Sequence, residues 1–239
     1  MSGNLLVLGA GSGIGLALMQ LASSQGWRAV GVSRQPRPGF LANDIDWHQQ
    51  IFQRDNAPAQ MQAITAICQQ TQPQLVVICH GLLQQDQVKA EKSIRQLDIA
   101  AAEQSWWVNY LTPMVHLQAI WPYLLQSPAK VLVLSAKVGS ITDNQLGGWY
   151  SYRSAKAALN MAVKTAAIEL QRQQKNSVLV TVHPGTTDTA LAAPFTKNLV
   201  AGQLQSPAAT AQRLWQVAQN LTTDKSGALL NWDGSKLPY

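Results

Sequence analysis

The chain has 239 residues, of which 46% are hydrophobic and 13% charged, a balance that excludes a disordered or fibrous protein and suits one packed domain. The net charge of +6 comes from 18 scattered Lys and Arg residues with no basic run and no aromatic-basic interleaving, so nucleic acid is not an expected partner and an anionic cofactor accounts for the excess. Two cysteines, Cys68 and Cys79, give neither a disulfide framework nor metal spacing; without a basic leader or about 18 consecutive apolar residues, a cytoplasmic protein with no membrane span is expected.

In chain order, short apolar runs predict strands at 4–8, 28–33, 45–49, 75–79, 130–135, 179–183 and 227–231. Most are rich in Val, Leu and Ile with little polar alternation, the mark of strands buried on both faces of a parallel sheet. Helical patterns fall between them at 14–25, 57–71, 105–125, 150–173 and 207–221, the last opened by Ser206 as N-cap and Pro207 in the first turn. The segment 33–43 carries Pro36, Pro38 and Gly39, so the helix expected between the second and third strands is missing or reduced. No repeat or linker tract interrupts the series. The alternation predicts a single doubly wound α/β domain, a seven-stranded parallel sheet of Rossmann type with helices on both faces.

The first strand runs into Gly9-Ala10-Gly11-Ser12-Gly13-Ile14-Gly15, and an apolar helix follows. In that context glycines permit positive φ and let backbone N–H groups approach a pyrophosphate, which the helix N-terminus also attracts. An NAD-binding chain ends its second strand on a carboxylate that accepts from the ribose 2′-hydroxyl. Here the slot holds Ser33 and Arg34 follows, with Arg28 and Arg37 nearby. A hydroxyl and a guanidinium suit a 2′-phosphate. NADP(H) is therefore the expected cofactor, with NAD(H) possible.

Tyr150-Ser151-Tyr152-Arg153-Ser154-Ala155-Lys156 holds a tyrosine and a lysine four residues apart, one turn from each other on the same helix face. A free phenol has a pKa of about 10 and is a poor acid-base group at neutral pH. An adjacent ammonium stabilises the phenolate and lowers that value. Tyr150 has only Ser154 at the same spacing.

These motifs, with glycines at 9, 13 and 15 followed by the Tyr152/Lys156 pair, resemble those of the short-chain dehydrogenase/reductase family over nearly the whole chain. Leu8 stands where that family usually has a threonine. The resemblance implies hydride transfer between a nicotinamide and a carbonyl or alcohol, with Tyr152 as general acid/base and Lys156 also holding the cofactor ribose. It implies a serine at the end of the fifth strand that donates to the substrate carbonyl. Aligning on Gly139 puts Ala136 in that slot, so Ser135 takes the role, or Ser140 reaches in, or the hydroxyl is absent; Ser135 is the first choice. Asn109 is expected to open a kink in its helix and to hold a water on the proton path.

The same resemblance assigns Gln50 and Ile51 to the adenine, with 45–46 as an alternative frame, and Gly81 to the adenine ribose. Ile78-Cys79-His80-Gly81 replaces the family's Asn-Asn-Ala-Gly; His80 is expected to be satisfied by neighbouring backbone, and no histidine spacing suggests a metal. Pro184, Gly185, Thr187 and Thr189 are expected at the nicotinamide end, within or before a substrate lid at 186–205. The C-terminal tail is expected on a neighbouring subunit, and the helices at 105–125 and 150–173 across a two-fold of a homodimer or homotetramer. Trp106, Trp107 and Trp149 are candidates for an apolar pocket or that interface. The segments 136–140, 147–150 and 152–153 are similar to the C-factor and sniffer-type carbonyl reductases. That similarity leaves a second reading, a cofactor-binding signalling or regulatory protein with little turnover, from which NADPH oxidation with a panel of carbonyls distinguishes the first.

Overall fold

In the computed structural model, which describes residues 2–11, 13–51, 56–197, 199–200 and 202–239, the apolar runs pair into one parallel sheet. Its strands are β1 (Asn4–Leu8), β2 (Arg28–Ser33), β3 (Ile45–Gln49), β4 (Leu75–Ile78), β5 (Lys130–Leu134), β6 (Val178–His183) and, after two short strands, β9 (Leu229–Asn231). They lie in the order β3-β2-β1-β4-β5-β6-β9, which is the doubly wound order with its switch point between β1 and β4. Leu5 pairs with Ala29 on one side and with Leu75 on the other, so the centre of the sheet is in register from its first residues.

The period of two divides each strand between two cores. Leu5 and Val7 of β1, Leu132 and Leu134 of β5, and Val180 and Val182 of β6 pack under α1 (Gly13–Ser24) and α6 (Pro207–Gln219). Leu6 and Leu8, Val131 and Val133, and Leu179 face α2 (Ala57–Thr71), α4 (Thr112–Gln126) and α5 (Tyr150–Gln173). Burial on both sides accounts for the nearly unbroken apolar composition of these strands.

The helix predicted at 105–125 is longer and broken. It starts as α3 (Ile99–Trp106), capped by Asp98, whose side chain accepts from Ala101 N at 2.8 Å. A π-helical turn at Trp107–Leu111 then leads into α4. β3 follows β2 with no helix between them, as the proline-rich segment predicts. β4 and β5 stop one residue early, yet Cys79 N still donates to Leu8 O at 2.7 Å and Ser135 N to Val182 O at 2.8 Å, so only the boundaries differ. The last strand begins at Leu229 rather than Gly227, because Gly227 turns the chain at φ 78°.

Two features of the C-terminal half shape the rim. β7 (Thr186–Thr187) pairs with β8 (Leu204–Gln205), so the segment between them is tied at its base. The tail makes contacts with its own chain: Leu237 N donates to Leu229 O at 2.8 Å, and Tyr239 O accepts from Thr142 N at 3.0 Å. It folds back on its own chain. Among the described residues no helix is long and apolar enough to cross a membrane.

Candidate active site

The carboxyl ends of β1 and β4 diverge at the switch point, and the resulting crevice is where an open parallel sheet binds its ligand. Gly9 ends β1 at φ 94°, and its N donates to Val32 O at 2.9 Å, which pins the turn to β2. A side chain there would meet the Cys79 backbone and the His80 ring, both at 3.2 Å, so the loop and the end of β4 touch. Gly15 in α1 has the Gly9 carbonyl against it, where a Cβ would lie 2.5 Å from the oxygen. Gly13 faces Thr189, whose methyl would lie 2.8 Å from a Cβ at that position. The first glycine loop and the motif after β6 are thus brought together at the start of α1. Gly11 backs onto Ser33; Ile14 packs at the edge of the α1-side core. Ser12 lies outside the described residues.

At the end of β2, the buried Ser33 Oγ accepts from Gln35 N at 2.9 Å. Arg34 is exposed, and its guanidinium makes no hydrogen bond or ion pair among the described residues. The other two arginines proposed nearby are engaged. Arg28 pairs with Asp46 at 2.8 Å from the far end of the strand, and Arg37 donates to the carbonyls of Leu41 and Ala42 at 3.2 and 2.7 Å. Gln50 N donates to Ser33 O at 2.7 Å, while Gln50 Oε1 is buried with no partner. Ile51 beside it is exposed. A buried acceptor without a donor is rare in a finished structure and marks a place where a donor belongs.

Tyr152 and Lys156 occupy the first turns of α5, under the ends of β4 and β5. Lys156 is 2% exposed and has no carboxylate partner among the described residues. Its Nζ instead donates to Leu134 O at 3.0 Å and His80 O at 3.3 Å, and lies 5.9 Å from the Tyr152 ring centroid. Burial pulls this ammonium down to about 7. Burial likewise pushes the Tyr152 phenol above its ordinary value, so it keeps its proton through neutral pH. The Tyr152 hydroxyl has no hydrogen-bond partner among the described residues, and it is not among the sealed polar atoms.

Tyr152 belongs to a small apolar cluster. Leu83 and Ala136 are buried with Tyr152, and Ala90, Val138, Trp149, Leu191 and Phe195 pack against them. Of the two hydroxyls proposed for substrate binding, that of Ser135 spends its proton within the chain, whereas that of Ser140 only accepts. Ser135 Oγ donates to Asn160 Oδ1 at 2.7 Å, on the α5 side of the sheet, and Ser140 Oγ accepts from Asp143 N at 3.1 Å. Ala136 shares a buried apolar cluster with Tyr152. The alternation of β5 carries the reason: Ser135 continues the face of Val131 and Val133, which is covered by α5.

Asn109 sits in the π-helical turn and is fully buried. Its Oδ1 accepts from Leu82 N at 2.9 Å and its Nδ2 donates to Leu82 O at 2.6 Å and Ser105 O at 3.0 Å. It therefore fixes the chain just beyond Gly81, and the expected kink takes the form of this wide turn. His80 is satisfied differently from the expectation. Its ring Nε2 lies 2.9 Å from His116 Nδ1, and its own backbone carbonyl receives Lys156. Burial lowers both imidazoles, His80 to about 4, so the pair is neutral at pH 7. Gly81 lies under Leu191, and Pro184-Gly185 turns the chain at φ 79° toward Thr187, whose Oγ1 is 2.9 Å from Thr210 Oγ1. Thr189 Oγ1 donates to Thr187 O at 3.3 Å. Among the described residues no group of three metal-ligating side chains converges.

A family model described as short chain dehydrogenase matches residues 4–199, which include the glycine loop, the Tyr152/Lys156 pair and the motif after β6. The chain belongs to the short chain dehydrogenase family. Within the family, it is 29% identical over 148 residues to the C-signal of Myxococcus xanthus, an alignment spanning 62% of this chain and 84% of that protein. Some curated relatives are matched over about half of their own length, whereas two uncharacterized oxidoreductases of Schizosaccharomyces pombe, 25% and 22% identical, are matched over 96% of theirs and 98% of this chain. Among solved structures, the carbonyl reductase Sniffer of D. melanogaster covers 100% of both chains with a TM-score of 0.81 at 20% identity. An NADPH-bound carbonyl reductase from chicken fatty liver has a TM-score of 0.79 at 21% identity, over 99% of this chain and 94% of that one. At such identities the likeness is one of fold.

Sequence reasoning did not single out Glu91, which is buried against the start of α5, nor Leu83, Leu191 and Phe195 in the apolar cluster. Nothing local marks them, since each acts through a residue far along the chain.

Proposed function

We propose that this protein, acting as one catalytic domain, is an NADP(H)-dependent oxidoreductase that reduces an aldehyde or ketone flanked by apolar groups. The observation that carries the reading is the Tyr152 hydroxyl, unpartnered, with Lys156 one turn below it and the glycine loop across the crevice. The family membership and the NADPH-bound carbonyl reductase of the same fold support it.

The residues present fit the dinucleotide. The loop 9–15 and the first turn of α1 offer backbone N–H groups to a pyrophosphate, and Ser33 with the unpaired Arg34 suits a 2′-phosphate. Gln50 Oε1 offers its unused acceptor to the adenine amine, beside Ile51, with Gly81 leaving room at the ribose. Pro184, Gly185, Thr187 and Thr189 line the nicotinamide end. When bound, the nicotinamide supplies the hydride.

The chain's own residues manage the proton. Tyr152 holds it through neutral pH and gives it to the carbonyl oxygen, a general-acid contribution worth about 10²- to 10⁴-fold in rate. Lys156 faces the phenolate left behind and stabilises it, and its Nζ is also within the crevice for the ribose hydroxyls. Asn109 holds the backbone at Leu82 and, through it, the ribose side of the site. Ser135 is turned to Asn160 and does not offer its proton to the substrate oxygen, and Ala136 packs in the same apolar cluster as Tyr152. The segment 186–205, tied at β7 and β8, covers the substrate with Leu191 and Phe195. The exposed apolar side chains of α3 to α5, Trp106, Met161 and Ile168 among them, form the face for a second copy of the chain.

The second reading, a cofactor-binding signalling protein, is favoured by the similarity to the C-signal and by the turning of Ser135 to Asn160. NADPH oxidation measured with a panel of aldehydes, ketones and quinones separates the two. Reduction of at least one class is expected; tight NADPH binding with no carbonyl reduced would establish the second reading instead.

A further inference from the structure

Helix α5 has 24 residues and no local cap. The residue before it, Trp149, is in the left-handed region at φ 52° and ψ 44°, and its side chain accepts nothing from the first turn. The free N–H groups of a helix start need an acceptor when they are buried. Here it comes from Glu91, 60 residues earlier in the chain. Its carboxylate is buried, accepts from Ser151 Oγ, and lies 3.3 and 3.4 Å from Ser151 N. The backbone of the same residue accepts from Trp149 N at 2.5 Å. No Lys or Arg pairs with Glu91 among the described residues, so its contacts are with the start of α5.

One residue thus holds both sides of Tyr150. The next side chain on the helix is Tyr152, and the indole of Trp149 meets its ring at 6.4 Å between centroids and the Phe195 ring at 5.0 Å. Arg153 closes the loop from the other side, donating to Gly147 O at 3.2 Å, Gly148 O at 3.0 Å and Val138 O at 3.2 Å. Strain at a non-glycine residue persists only where the surroundings over-determine it, and these bonds supply that determination at Trp149.

We propose that Glu91 is a positioning residue: from a distant segment it caps α5 and thereby sets the direction of the Tyr152 hydroxyl and the aromatic wall beside it. The proposal rests on the reading of Tyr152 as proton donor, but its local consequence does not. Steady-state kinetics and amide hydrogen exchange on Glu91→Ala, Glu91→Gln and Ser151→Ala test it together. Glu91→Ala is expected to lower kcat about ten- to a hundredfold, as small misplacements of reacting groups do, with NADPH affinity within about twofold. Exchange in 149–153 rises in that variant. Glu91→Gln keeps an acceptor oxygen and restores most of kcat, and Ser151→Ala gives a smaller loss in the same direction. Wild-type kcat and wild-type exchange in Glu91→Ala would overturn the proposal, as would a Glu91→Gln that falls as far as the alanine. If Glu91→Ala does not fold, the other two variants decide by the same criteria. If the wild type reduces no carbonyl, the function proposed above fails, and the exchange at 149–153 still decides the role of Glu91.

Discussion

The two halves of the crevice are built on opposite principles. On the cofactor side, hydrogen-bonding capacity is left open: among the described residues the Arg34 guanidinium has no hydrogen-bond or ion-pair partner and Gln50 Oε1 is buried without a donor. On the substrate side, three serine hydroxyls already make hydrogen bonds within the chain. Ser135 is turned to Asn160, Ser140 accepts from the backbone of Asp143 and Ser151 is turned to Glu91, while Tyr152 packs in a small apolar cluster. The contrast assigns affinity to the dinucleotide half and direction to the other. On the function proposed above, a substrate there would be selected mainly by shape and by the Tyr152 acid.

The sharpest way to break the contrast is to remove that acid. Tyr152→Phe is expected to lower carbonyl reduction by about 10²- to 10⁴-fold while NADPH affinity, measured by titration calorimetry, stays near wild type. Loss of binding instead would mean that the phenol belongs to the cofactor half. Arg34→Ala probes the other side. NADPH should bind about ten- to a hundredfold more weakly, the scale of a charge-assisted contact to phosphate, with NADH almost unaffected. Equal losses for both cofactors would remove Arg34 from the 2′-phosphate.

How much of this was legible in the sequence follows the same division. The cofactor half is local: glycines 9 to 15 and the Ser33-Arg34 pair each lie on one strand end, so the spacing alone placed them. Tyr152 and Lys156 were legible because one helix turn carries both. The substrate half depends on contacts across the chain. Ser135 was taken for the substrate donor, although the alternation of Val131 and Val133 already pointed it toward α5. Glu91 gave no signal, since its partner lies 60 residues away. The bridge between Leu230 and Lys236, which folds the tail back along the last strand, is another contact that nothing in the tail's own residues encodes.

A smaller effect sharpens the substrate side of the contrast. Ala136→Ser adds a hydroxyl beside the Tyr152 ring, and kcat/KM for simple ketones is expected to rise about tenfold, less than an evolved oxyanion donor contributes. No change, with the variant folded, would show that the Ala136 methyl does not face the reacting oxygen.

A further effect is in the pH dependence. Burial brings Lys156 from an ordinary 10.5 to about 7. The ammonium is the active form, so kcat/KM for reduction, which reports the free enzyme, should fall as the pH rises through about 7. Stability should move the other way. Between about 7 and 10.5 the unfolded chain holds a proton on Lys156 that the folded chain has released, so folding is favoured as the pH increases through that window. Urea midpoints at pH 7, 8 and 9 check the sign, and Lys156→Met should flatten the trend.

The central claim is that this crevice moves a hydride from NADPH to a carbonyl carbon while Tyr152 provides the proton. Its most direct test uses NADPH deuterated at nicotinamide C4, incubated with the protein and a set of aldehydes and ketones. Deuterium on the carbinol carbon of the alcohol product is predicted. Tight binding of the labelled cofactor, with no deuterium found in any alcohol, would contradict the account.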